Sequence, residues 1–225
     1  MTVPRAAIRA LAAPVALAIV LAVFVAREID TAQRYSPTWD EPGHIACGLE
    51  LLQYGTYTMN PLHPPLPRIL IALPWYVSGI RFEARPHDDG DHLESDSTAL
   101  LYDRTRAAPA LFIARAPVIA VGILLLAAIY AYAQRRLGEA GALLSLLLAS
   151  LSPGVLGLAT QATTDLVGTA TLLLALHAWR RWLEEGDARH AALFDALLQA
   201  YRATARCAPG ALQRLDDIRQ RGRYH

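Results

Sequence analysis

Two stretches place acidic side chains just beyond long apolar runs: Trp39-Asp40-Glu41-Pro42-Gly43-His44 and Thr163-Thr164-Asp165. A carboxylate at a membrane boundary is costly unless it is solvated or used. Two such sites on one face can converge on one pocket. A carboxylate is a workable base for a hydroxyl that loses its proton late in a reaction. Each position also has a purely structural reading. Asp40 would N-cap a helix, because Glu41, Pro42 and the spacing of Ile45, Leu49 and Leu52 look like a helix start. Asp165 opens an apolar run, where an acid suits the helix dipole. The two readings are compatible, since a helix start holds a carboxylate on a rigid element.

His44 follows Asp40 by four residues, so both can share one helix face. A metal site here would need further ligands, such as Glu41 or His63. No Cys/His spacing of a zinc site occurs, and solvated loop histidines are the simpler reading. In Asn60-Pro61-Leu62-His63-Pro64-Pro65-Leu66-Pro67-Arg68 the prolines impose an extended entry into the apolar stretch 66–80. Read structurally, this is a rigid turn onto a membrane surface. Read functionally, His63 and Arg68 face an anionic group, which Arg can bind through two hydrogen bonds. Asp88-Asp89-Gly90-Asp91 lacks the rest of a calcium-loop pattern and reads as a solvated acidic turn. No Walker loop, GxSxG elbow or dinucleotide fingerprint is present.

The elements that must position these groups follow from composition. The chain has 225 residues, 54% hydrophobic and 18% charged, with mean hydropathy +0.26. That excludes a disordered chain and argues against a soluble enzyme. A net charge of +1 gives no basic field for nucleic acid. Every basic residue is Arg, which fits a GC-rich bacterial gene. Apolar runs predict membrane spans at about 10–26, 109–132, 137–152 and 166–182. Arg115 is the one charge inside 109–132. Residues 27–108 form the loop between the first two spans, with twelve acids against seven bases. Stretch 66–80 is too short to span and reads as an interfacial or re-entrant helix, with Trp75 and Tyr76 at headgroup level. Arg5 and Arg9 precede span one. Arg135-Arg136 and Arg180-Arg181 end later spans. Together they place the N-terminus and all basic clusters in the cytoplasm and loop 27–108 outside. Residues 186–225 read as a cytoplasmic amphipathic helix and a polar tail. Cys47 and Cys207 then face opposite sides and cannot pair.

Four stretches together resemble the N-terminal part of GT-C fold glycosyltransferases, nearest glycosyltransferase family 39, akin to protein O-mannosyltransferases and aminoarabinose lipid A transferases. They are Asp40-Glu41, GLELLQYGTYTMNPLHPPLPRILIALP, ARAPVIAVGILLLAAIYAYAQRRLG and LASLSPGVLGLATQATTDLVGTATLLLALHAW, within residues 10–185. The resemblance implies an all-α integral membrane protein of about four transmembrane helices. Its large extracytoplasmic first loop would carry short interfacial helices, a partial GT-C fold over residues 1–185. It implies transfer of a hexose or pentose from a polyprenyl-phosphate-linked donor to a lipid, glycan or protein acceptor, with inversion, at the outer face of a bacterial inner membrane. Asp40 would be the general base, Glu41 would position the acceptor or Asp40, and Asp165 would complete the pocket. His63 and Arg68, with His44 nearby, would contact the donor. No metal ligand is assigned, and a divalent metal is left open because relatives differ in using one. Family members carry more spans, so the expectation is a truncated or short member, or one that needs a partner chain. The alternative is a non-catalytic membrane subunit or scaffold of a glycan-assembly or transport complex.

Overall fold

The computed structural model describes residues 5–87, 90–103 and 105–206, with side chains from residue 12 to 199. Among these residues all regular structure is helical and no strand occurs. Eight helices follow in order: α1 (Arg5–Arg34), α2 (Asp40–Tyr54), α3 (Pro65–Val77), α4 (Leu93–Tyr102), α5 (Ala107–Ser150), α6 (Pro153–Ala159), α7 (Asp165–Glu185) and α8 (Ala188–Arg206). Two are long and apolar enough to cross a membrane: α1 over Ala12–Arg34, and α5.

Helix α5 is a hairpin of two arms rather than one rod. Gly138 stands between them at φ 70°, ψ −173°. Only glycine takes such a conformation at no steric cost. Arg115 near the start of the first arm meets Ala32 and Tyr35 at the end of α1. Gly122 packs on Phe24. The second arm comes back, since Leu147, Ser150 and Leu151 share a cavity with Ile19, Val23 and Arg27. The two expected runs 109–132 and 137–152 are these arms. The fourth expected run, 166–182, lies within α7, a helix of 21 residues, or about 31 Å.

The apolar stretch 66–80 forms α3, whose 13 residues reach only about 20 Å. Leu66, Leu73 and Val77 leave one helix face exposed. Trp75 departs from expectation. It is 1% exposed rather than at a surface, and its indole N–H donates to the Ala110 carbonyl at 2.7 Å. That bond ties α3 to the start of α5, so the indole serves as a peg in the core. Tyr76 is half-buried beside it.

Helices α2 and α3 approach almost backbone to backbone. A Cβ on Gly48 would sit 2.1 Å from the Arg68 carbonyl oxygen and 2.8 Å from Ala72 Cβ. Glycine at this position lets the two helices meet and brings Arg68 up to α2.

Arg136 pairs with Glu184, and Arg135 lies 3.8 Å from Glu185. The end of α7 is therefore beside the end of the first α5 arm. The expected division after residue 185 falls at the following turn, where Gly186 takes φ 67°. From there α8 packs back along α7 and also reaches α3. Residues 207–225, with Cys207, lie outside the described residues, as do Asp88 and Asp89 of the acidic turn. Cys47 is buried and free.

Candidate functional site

Asp40 is the first residue of α2. It does not N-cap the helix, because no side chain caps the α2 amides at Trp39 or Asp40. The helix start is held instead by Glu41, whose Oε2 accepts the Thr38 backbone N–H at 2.8 Å and the Thr38 hydroxyl at 3.2 Å. This is the back-reaching half of a capping box. It leaves the Asp40 carboxylate exposed, with no hydrogen bond or ion pair among the described residues.

Glu41 points the other way, into the core. It is fully buried, and Arg115 grips it with two bonds of 2.7 Å, Nε to Oε1 and Nη2 to Oε2. The Ala162 backbone N–H donates to Oε1 at 2.7 Å. Arg115 also donates to the carbonyls of Ala32, Tyr35 and Ser36. One buried ion pair thus joins the end of α1, the start of α2, the first arm of α5 and the loop before α7. Every oxygen and nitrogen of the pair is satisfied, the condition under which a buried pair is tolerated. Neighbours in the chain, Asp40 and Glu41 lie about 100° apart around the helix, and so serve different surroundings.

A cavity of about 280 Å³ opens beside Asp40. Asp40, His44, His63 and Arg68 all line it, with Asn60 and Ser97 adding polar atoms. Trp39 and Tyr102, both largely exposed, stand at its edge. The four expected residues come from α2, the proline-rich turn and α3, so the turn brings α3 against the first turns of α2.

Arg68 is the central cation of this cavity. It is 1% exposed, yet no carboxylate pairs with it among the described residues. Its Nε donates to His44 Nδ1 at 3.0 Å. Its Nη1 donates to the Tyr57 hydroxyl at 2.7 Å and the Asn60 carbonyl at 2.5 Å. The Tyr57 hydroxyl in turn donates to the His63 carbonyl at 2.8 Å. Nη2 has no protein partner among the described residues. Glu50 on α2 already accepts from Thr56, Thr58 and Met59. A buried guanidinium with neutral partners and a free face suits an anion.

His44 is fixed in state as well as place. Because Arg68 can only donate, His44 Nδ1 must accept, and the ring proton sits on Nε2. Burial, then the charges of Arg68 and His63, push its pKa down to about 3. It is neutral at any physiological pH. His63 stacks edge-on against it with ring centres 5.0 Å apart. Burial lowers the His63 pKa, as does Arg68, while Asp40 and Asp165 both oppose that shift. The Cys47 thiol is pushed up to about 11, chiefly by burial, so it is no nucleophile.

Asp165 is the first residue of α7 and is exposed. It stands outside the cavity wall, but its charge is felt at His63, as that of Asp40 is. The two acidic stretches, more than a hundred residues apart, therefore approach one imidazole. Glu41 lies behind the cavity. Arg115, Tyr57, Asn60 and Gly48 were not singled out for the site. The Thr38-x-x-Glu41 spacing and the lone charge of Arg115 within an apolar run were the signals for the buried pair. Among the described residues, no three His, Cys, Asp or Glu side chains gather to hold a metal.

Residues 109–198 match the family model described as dolichyl-phosphate-mannose-protein mannosyltransferase. That match covers 90 of the 225 residues. The match holds Asp165 and runs into α8; Asp40, His44, His63 and Arg68 lie before it. No curated protein and no solved structure matches the chain.

Proposed function

We propose that this chain, with its family 39-like segment at 109–198, is a membrane glycosyltransferase that moves a sugar from a polyprenyl-phosphate-linked donor to a hydroxyl acceptor. The observation that carries the reading is the meeting, in one cavity, of an Asp40 carboxylate and a buried Arg68 that, among the described residues, have no ion-pair partner. The first is placed to take a proton. The second is placed to hold a phosphate.

In this mechanism Asp40 removes the acceptor hydroxyl proton as its oxygen attacks the anomeric carbon. The new carbon–oxygen bond forms as the bond to the donor phosphate breaks. The phosphate leaves with the electron pair, and the configuration inverts. Arg68 stabilises the charge on the departing polyprenyl phosphate. Neutral His44 and Tyr57 hold the guanidinium in place. His63 faces the same cavity and completes the donor contact. Asp165 contributes negative potential from the second helix start. Glu41 and Arg115 act through position: they fix the α2 start that presents Asp40.

The fold supports a membrane setting built on α1, the two arms of α5 and α7, with α8 packed back along α7 as far as α3. Arg135, Arg136, Arg180 and Arg181 gather at one end of this bundle, the pattern of a cytoplasmic side. The cavity lies at the other end, facing the outside of an inner membrane, with the exposed apolar face of α3 on the lipid surface. The acceptor is a lipid, glycan or protein. Reconstituted into vesicles with polyprenyl-phosphate-mannose and hydroxyl acceptors, the chain should yield glycoside of inverted anomeric configuration. No transfer, alone or with a co-purified partner chain, would favour a non-catalytic subunit.

A further inference from the structure

A second cavity, of about 330 Å³, lies across the α1–α2 connection from the first. Thr38 borders both. Glu28 of α1 lines the second cavity and is 2% exposed. Its carboxylate makes no hydrogen bond or ion pair among the described residues, and Oε2 is buried without a partner. Such a group is costly unless a donor arrives. Arg115 also lines the cavity, but its nitrogens are already spent on Glu41 and three carbonyls. The rest of the polar wall is neutral: Thr31, Tyr35, Ser36, Thr38, Thr160 and Gln161. Arg27 and Arg115 oppose a cation, and Glu28 opposes an anion.

We propose that this cavity binds a neutral, hydroxyl-rich group, with Glu28 accepting a hydrogen bond from a ligand hydroxyl. Resting on the transferase reading, that group is the carbohydrate or alcohol part of the acceptor, seated one residue wall away from Asp40. The binding itself does not require that reading.

The experiment is saturation-transfer NMR on the full chain in nanodiscs, with methyl α-mannoside as the neutral probe and ethanolamine and inorganic phosphate as charged competitors. Glu28→Leu removes the acceptor and relieves a buried unpaired carboxyl, so folding is not threatened. Gly157→Leu is a second variant: Gly157 lines the cavity, and a Cβ there meets nothing within 4 Å. Its side chain fills the space. The expected result is methyl mannoside binding roughly tenfold weaker in Glu28→Leu and lost in Gly157→Leu. Binding should persist in Asp40→Asn and Arg68→Gln. Unchanged binding in both cavity variants, loss in Asp40→Asn instead, no binding to the parent chain, or displacement by ethanolamine would each overturn the proposal. A transferase reading that fails while Glu28-dependent binding persists leaves the cavity standing, so the two failures are distinguishable.

Discussion

The Nε of Arg68 donates to Nδ1 of His44 at 3.0 Å, joining a buried cation to a buried imidazole that burial keeps neutral. The bond sets the tautomer of one and the direction of the other. Among the described residues the guanidinium has no carboxylate partner, so its charge is available to a ligand. Arg68→Gln should therefore raise the donor KM roughly tenfold and lower kcat as well, because the same guanidinium meets the charge that develops on the leaving phosphate. Arg68→Lys should recover only part, because an ammonium cannot serve His44, Tyr57 and an anion from one fork. Steady-state kinetics with varied donor checks both. Equal donor KM in all three proteins would remove Arg68 from the donor site.

The depressed pKa of His44 makes stability depend on pH in a defined direction. Between its ordinary 6.5 and about 3, the unfolded chain binds a proton that the folded chain refuses. Stability contributed by neutral His44 is thus complete above 6.5 and lost as pH falls toward 3, by at most about 1.4 kcal/mol per pH unit. His44→Asn keeps an acceptor near the Nδ1 position. Its melting temperature should fall less steeply with acid than that of the parent chain. Parallel slopes would contradict the neutral, buried assignment.

Breaking the Glu41–Arg115 pair should unfold the site rather than alter its chemistry. Glu41→Gln or Arg115→Met leaves one buried group uncompensated, at a cost of about 3–5 kcal/mol. The double variant should recover only part, because the Ala162 amide and three carbonyls lose their partners too. Thermal unfolding in detergent reads this directly. A stable, well-folded Glu41→Gln with slowed transfer would instead move Glu41 into the reaction.

Gly48→Ala should push α2 from α3, since its Cβ would fall 2.1 Å from the Arg68 carbonyl. Overpacking of this kind costs about 1–3 kcal/mol. Both stability and donor affinity should drop, because Arg68 moves with its backbone. A variant that keeps parental donor affinity would show that the close approach does not position Arg68.

How far the residues announce this arrangement differs from group to group. The start of α2 was legible from Pro42 and the apolar spacing behind it, and α3 from the length of its apolar stretch. Both signals are local. Asp40, His44, His63 and Arg68 were readable as candidates because their types are uncommon beside apolar runs. Glu41 was harder. Its neighbour in the chain suggested a shared acidic site, while its partner Arg115 lies on another helix and only the folded chain brings them together. Trp75 reads as a headgroup anchor in the sequence, and the fold buries it instead, because the carbonyl that takes its N–H comes from α5. Arg68's neutral partners and the Gly48 contact are likewise products of helix packing, which no periodicity encodes.

The central claim is that Asp40 takes the acceptor proton. The direct test is sugar transfer by the Asp40→Asn chain in vesicles loaded with polyprenyl-phosphate-mannose, with donor binding measured in parallel. Asn is close in size and lacks the basic oxygen. Transfer should fall by about 10²–10⁴-fold with donor binding retained. Transfer at the parental rate would contradict it.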